Sequence, residues 1–440
     1  MIKRDKYLKQ LIDSKDNGFP KVITGLRRSG KSFLLKELYR DYLKNSGVPV
    51  DDIIILELDD DRNIEYRDPI LLGDHIRNLC SNKNRCYVFI DEIQKVYTIK
   101  NPVLTGGRHI LATTKDIETV SFVDVVLGLS REENIDLYIT GSNSKMLSTD
   151  IITEFRDKAV NIYLSPLSFD EYYGYVGGPE YEALYQYMQY GGMPLSVLKN
   201  DDQKKDYLQN LFQTTYFSDI IERHKLRRGG ALDELSNIVS TLTGEMLNSE
   251  KIANTFKTVR HESIDKQTVE SYISYFEDAF LIREAKRYDL KGRKEIGALK
   301  KYYYTDTGLR NARLNFVFPD EGQILETIVF NELRYNGYTV NIGVFDTIEK
   351  DKNGKSIRKS NEIDFYARKG LREYYIQVCM NISDTKTKER ELHPLLLMKD
   401  QIQKVLVINK PIKESRDENG FIVIGICDFL LRFINDSYKE

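Results

Sequence analysis

The chain has 440 residues, 65 Lys+Arg against 67 Asp+Glu, and a formal net charge of −2. With 41% hydrophobic and 30% charged residues it reads as globular, which excludes a disordered tail; its balanced charge makes any nucleic-acid surface a local one. At about 150 residues per domain the length implies two to four domains, and no apolar run reaches the ~20 residues of a membrane helix.

The opening stretch, MIKRDKYLKQLIDSKDNG, alternates charged and apolar residues and lacks the apolar centre of a secretory signal. Cys80, Cys86, Cys379 and Cys427 form no C-x-x-C pair, which argues against a zinc knuckle and for reduced thiols. A cytoplasmic protein with no membrane partner is the expectation.

KVITGLRRSGKSFLLKELYRDYL carries Gly25-x-x-x-x-Gly30-Lys31-Ser32. Apolar residues before Gly25 predict a short strand, and Phe33, Leu34, Leu38, Tyr42 and Leu43 repeat at helical spacing. Between strand and helix, Gly25, Leu26, Arg27, Arg28, Ser29, Gly30, Lys31, Ser32 and Phe33 make a phosphate-binding loop. Its N–H groups turn inward on the phosphates, Lys31 reaches the β/γ oxygens, and Ser32 binds Mg²⁺. ATP and Mg²⁺ are the ligands expected.

CYVFIDEIQKV then gives an apolar strand ending in Asp91-Glu92. At the carboxyl end of a parallel strand, Asp91 would hold Mg²⁺ through water and Glu92 would polarise the attacking water. Both acids could instead cap the next helix, but paired with Gly25–Ser32 the metal-side reading is the stronger. A third strand, IDLYITGSNSKML, exits through Thr140-Gly141-Ser142-Asn143, where Ser142 or Asn143 would sense the γ-phosphate. Arg156 could reach a neighbouring subunit's nucleotide, which would make a homo-oligomer, or could pair locally with Glu154 or Asp157.

Together with PLSFDEYY and YGGMP, these motifs resemble prokaryotic AAA-type ATPases fused to a C-terminal restriction-endonuclease-like domain of unknown function. The resemblance implies the metal acid at Asp91, the catalytic acid at Glu92, the sensor at Ser142 and the trans-acting arginine at Arg156. Many relatives have Gly-Arg after that arginine, where this chain has Asp157-Lys158. Residues 98–120 form a longer loop than relatives often carry.

The fold class expected is α/β, with a P-loop AAA-type parallel sheet over 1–165 and a small helical lid over 166–228. A winged helix follows over 231–310 and a restriction-endonuclease-like α/β domain over 320–440. Asn248 or Ser249 and Asp265 are the expected caps of the winged-helix segments. Its third helix is not basic, whereas the hairpin after it carries Arg293, Lys294, Lys300 and Lys301. The wing could touch DNA phosphates, or the module could serve packing or a protein partner.

EIDFYARKGLREYYIQVCMN, residues 362–381, predicts a hairpin turning near Gly370. With Glu326 on the preceding helix, Asp364 and Gln377 would form the metal side of a nuclease site. The second strand offers Gln377-Val378-Cys379 where Glu-x-Lys is wanted, so charge and lysine are both missing. Lys386 and Lys388 on the next helix are candidate replacements. The expectation is a degenerate site that no longer cleaves.

Overall fold

Apolar runs of the first 165 residues become the strands of one parallel sheet. The computed structural model describes residues 1–113, 115–142, 159–226, 229–260, 264–317, 320–350, 356–380 and 385–435. It divides into two units: Lys3–Ser165 with Asp278–Phe280, and Met1–Ile2 with Pro166–Glu277 and Leu281–Glu440.

In the first unit five strands lie in the order Ile53–Glu57, Cys86–Asp91, Ile135–Gly141, Lys21–Thr24, Val160–Tyr163. Every pairing is parallel, so the carboxyl ends of all five share one edge. Cys86–Asp91 and Ile135–Gly141 are buried at every position, as continuous apolar strands between helices must be. Leu72 and Ile76 of Pro69–Cys80, with Val123, Val126 and Leu129 of Phe122–Leu129, pack on Val88, Ile90, Leu137 and Ile139. At the opposite edge the buried Lys21 ammonium pairs with the buried Asp136 carboxylate, which also accepts the Tyr138 hydroxyl at 2.7 Å. The long loop after the second acidic strand is clipped by Ile99–Lys100 pairing antiparallel with Thr119–Val120. It leaves Val103 and Ile117 exposed.

In the second unit the helices Phe169–Val176, Glu180–Tyr190, Pro194–Val197, Asp201–Asn210 and Ser218–His224 occupy the expected lid segment. They are no separate module. Phe169, Tyr172, Leu184, Tyr187 and Met188 share one core with Ile324, Ile328, Phe330, Val340 and Ile342. The Phe169 N–H donates to Glu332 at 2.6 Å, and the Gly192 N–H donates to the buried Asp306 at 2.7 Å.

The expected winged-helix segment folds as Gly230–Thr241, Met246–Leu247, Ser249–Thr255, Lys266–Asp278, then Ile282–Asp289 and Lys294–Tyr304. Asn248 caps its helix through Glu250 and Lys251 N–H groups, and Asp265 accepts from Thr268 N–H at 2.7 Å. The hairpin does not stand alone. Arg287–Asp289 pair parallel with Ile342–Val344, which makes the wing part of a nine-stranded sheet continuing to the C-terminus. The boundaries expected near 228 and 310 therefore fall inside one unit.

From Glu321 onward the order is helix Glu321–Tyr335, strands Thr339–Lys350, Ser356–Lys369 and Arg372–Cys379, helix Thr385–Leu397, then strands Gln403–Ile408 and Ile422–Gly425. The expected hairpin turns through Gly370, whose φ of 58° lies in the left-handed region.

Candidate functional site

The Lys21–Thr24 strand ends at Gly25, and the Leu164 N–H donates to the Thr24 carbonyl at 2.7 Å. A Cβ on Gly25 would stand 2.2 Å from the Leu164 carbonyl oxygen, so only glycine lets the chain turn here. Arg28 and Gly30 both have positive φ, and a helix begins at Lys31. Left-handed residues just before a helix turn successive N–H groups into an anion-binding concavity. The Ser29 hydroxyl is buried without a hydrogen-bond partner among the described residues. Leu26 is buried, Ser32 half-buried and Phe33 exposed.

Lys31 is 4% exposed, and its Nζ donates to the Gly25 and Leu26 carbonyls, each at 3.0 Å. Burial pulls the Lys31 ammonium down to about 8, Glu92 and Asp91 pull the other way, and Arg27 adds repulsion. A lysine on two backbone carbonyls exchanges them for phosphate oxygens without leaving the loop.

Asp91 ends the Cys86–Asp91 strand, separated from Lys21–Thr24 by Ile135–Gly141, and Glu92 follows it. One Asp91 oxygen accepts the Thr140 hydroxyl, and the other faces the Lys36 ammonium at 3.4 Å. Lys36 also pairs with Glu57. Glu92 has φ 57° and ψ 47°, an uncommon conformation for a residue with a side chain. Its N–H donates to Thr140 Oγ1 at 3.1 Å, while its carboxylate accepts the Gln94 amide and, at 3.3 Å, the Ser142 hydroxyl.

Ser32 and Asp91 are the residues that would hold Mg²⁺, an ion that keeps several waters and takes few protein ligands beside phosphate oxygens. No group of three or more His, Cys, Asp or Glu among the described residues could hold a metal by itself.

Comparison with known proteins bears on this arrangement. A family model described as an AAA domain matches residues 17–173, and a domain of unknown function (DUF8612) matches residues 181–319. An uncharacterized protein of Haemophilus influenzae is 32% identical over 438 residues, covering 98% of this chain and 99% of that one. The chain belongs to the same family as that protein, and its residues 17–173 form an AAA domain. The uncharacterized protein MJ1544 of Methanocaldococcus jannaschii is 29% identical over 387 residues, 84% of this chain and 77% of that one. Among solved structures, the Walker-type ATPase PABY2304 of Pyrococcus abyssi aligns at 14% identity and a TM-score of 0.47 over 71% of this chain and 96% of that chain. The DNA-bound Orc1 protein of Aeropyrum pernix aligns at 13% identity and a TM-score of 0.27, over 71% and 92%.

Within the AAA domain the structure brings together Lys31, Asp91, Glu92 and Ser142. Asn143 and Arg156 lie outside the described residues. Sequence reasoning missed Gln94 and Lys36. Gln94 lay in plain view two residues past Glu92, and Lys36 one helical turn and a residue beyond Lys31.

A second cluster forms in the other unit. Lys301, 7% exposed on the Lys294–Tyr304 strand, lies 2.7 Å from Glu362 and 3.4 Å from Glu326. The Tyr303 hydroxyl donates to Glu326 at 2.5 Å, and the Val378 N–H donates to Asp364 at 2.8 Å. Burial pushes the Glu326 carboxyl up and Lys301 opposes it; burial and then Glu326 push Asp364 well up. Burial would lower the Lys301 ammonium, but Glu326, Glu362 and Asp364 raise it overall.

Glu326 and Asp364 are thus neighbours, as expected. Gln377 joins through backbone and helix: its Oε1 accepts the Asp364 N–H at 3.4 Å, and its Nε2 donates to Glu391 at 2.9 Å. A buried lysine does stand beside these carboxylates, on the strand expected to be a wing. Nothing in local spacing flagged it, because Lys301 stands far from Asp364 in the chain and they meet only across the sheet. The side chains of Lys386 and Lys388 are not among those described.

Proposed function

We propose that the chain is a Mg²⁺-dependent ATPase whose nucleotide state is coupled to its C-terminal half, which binds DNA or a protein partner. The observation carrying this reading is the convergence of Lys31 with Asp91, Glu92 and Ser142 at the carboxyl edge of adjacent parallel strands. The loop N–H groups and Lys31 hold the triphosphate. Ser32 and Asp91 would hold Mg²⁺, which when bound would neutralise phosphate charge. Glu92 takes a proton from the attacking water, and Ser142 fixes one carboxylate oxygen while it does so.

A chain that binds ATP and changes shape without turnover is the alternative. Glu92, held by donors beside the loop, favours hydrolysis. Lys31→Ala should abolish phosphate release under single-turnover conditions; normal release in that variant refutes the assignment.

A second reading, a DNA nuclease, gains support from Lys301, a buried cation beside Glu326, Glu362 and Asp364. Against it, Lys301 already neutralises these carboxylates. Asp364-dependent cutting of plasmid DNA with Mg²⁺ or Mn²⁺ would establish it.

A further inference from the structure

Gln94 belongs to no phosphate-binding or metal-binding motif, yet it is bonded to both residues at the reacting end of the site. Its Nε2 donates to Glu92 Oε2 and, at 3.2 Å, to Ser142 Oγ. The Ser142 hydroxyl also donates to Glu92 Oε2, at 3.3 Å, closing a triangle of three side chains from two strand ends. Both amide protons are spent in this way. The other end of the amide is not: Gln94 Oε1 is buried and accepts no hydrogen bond among the described residues. A buried acceptor left unpaired costs roughly 1–3 kcal/mol, which the amide's two donated hydrogen bonds offset.

The backbone explains how the triangle is held. Glu92 sits in the left-handed region, and its N–H is anchored on Thr140 Oγ1. The Lys95 N–H donates to the Glu92 carbonyl at 2.9 Å, starting the short helix Ile93–Lys95 that carries Gln94. Non-glycine residues keep this conformation where surrounding contacts enforce it, and such strain gathers at sites of function. Both described donors to the carboxylate land on Oε2, which leaves Oε1 to act as the base.

We propose that Gln94 is the positioning residue of the hydrolytic step, orienting the Glu92 carboxylate through Nε2. This rests on the ATPase reading. In the step, a lone pair of the water oxygen forms the bond to the γ-phosphorus. The bond from phosphorus to the bridging oxygen breaks, and its electron pair leaves with ADP. Glu92 Oε1 takes one water hydrogen as a proton, and the other stays on the phosphate formed. Gln94 and Ser142 hold Glu92 Oε2 and so aim Oε1 at the water, which a free carboxylate is not.

The test uses the full chain with Mg·ATP and compares the wild type with Gln94→Met, Gln94→Glu and Glu92→Gln. Gln94→Met keeps volume and loses every hydrogen bond; Gln94→Glu keeps shape but cannot donate to a carboxylate. Each Gln94 variant should lose about 10–100-fold in kcat, the scale of a misplaced reacting group. KM and the Kd of a non-hydrolysable ATP analogue should stay within about threefold, since the loss falls on the transition state alone. Full kcat in Gln94→Met overturns the proposal. So does a parallel loss of kcat and analogue binding, which would mean that Gln94 only supports the fold. If the wild type releases no phosphate above the Glu92→Gln background, the ATPase reading itself fails and this inference falls with it. A wild type that turns over beside a fully active Gln94→Met removes the inference alone.

Discussion

ATP affinity should fall by about tenfold between pH 7 and pH 9, because the residue that meets the phosphates loses its charge in that window. Burial brings the Lys31 ammonium down to about 8 in the free chain. From that value, about 91% of molecules carry the charge at pH 7 and about 9% at pH 9, a ratio near ten or about 1.4 kcal/mol of binding. Folding stability is linked with the opposite sign. A lysine lowered in the native state sheds its proton before the unfolded chain does, so between about 8 and 10.5 the unfolded state binds more protons. Stability from this residue therefore rises with pH there. Deprotonation of Lys31 therefore does not itself destabilise the fold at pH 9. Calorimetric titration with a non-hydrolysable ATP analogue and Mg²⁺, at constant ionic strength, measures the effect directly. In Lys31→Arg, where the cation keeps its proton throughout, the slope should vanish. An affinity flat to within about twofold in the wild type, or an equal slope in Lys31→Arg, would refute the assignment of Lys31 as the titrating phosphate ligand.

Two further outcomes follow from packing and charge. Gly25→Ala would put its methyl 2.2 Å from the Leu164 carbonyl oxygen at a φ of 144°, and analogue binding should fall by at least about 100-fold because the loop must unwind to admit it. Binding within about twofold of wild type would show that the loop gives way cheaply. Lys301→Met removes the buried cation from Glu326, Glu362 and Asp364 and should cost about 3 kcal/mol of stability, read from the urea midpoint. Glu326 and Asp364 are already pushed up in the native chain. The folded state therefore keeps protons that the unfolded chain has shed, and stability from these groups falls as pH rises through their folded values. Without Lys301 that fall steepens, so the loss should be larger at pH 8 than at pH 5.5. Equal losses at both would mean that Lys301 acts through packing alone.

How far the sequence could be read depended on whether partners were close along the chain. The phosphate loop was legible because its glycines, lysine and serine are consecutive and their spacing is itself the geometry. Asp91, Glu92 and Ser142 were legible by one step more: parallel strands end on one edge, so polar residues just past two apolar runs must meet. The conformation of Glu92 was not legible, since nothing in DEIQ reports a left-handed acid; what holds it there includes Thr140 on another strand. Helical spacing over 166–228 gave correct helices and no address for their apolar faces. An amphipathic period states that one side is buried and leaves open against what, and here Phe169, Leu184 and Tyr187 pack on the C-terminal core.

Lys301 carries this furthest. A motif search over a single strand finds Gln377 and Cys379 and concludes that the cation is lost, because it assumes that one strand supplies acid and lysine together. A sheet imposes no such rule. Side chains of different strands share one face wherever register brings them level, and Ile282–Asp289 joins the Lys301 hairpin to the Thr339–Lys350 strand. That strand pairs in turn with the one bearing Glu362 and Asp364. The buried ammonium therefore comes from a residue distant in the chain, where spacing along one strand or onto the next helix could not find it. What it does establish is the order of experiments. Lys301 must be changed before Gln377 or Cys379, since its charge opposes the burial that pushes Glu326 and Asp364 up.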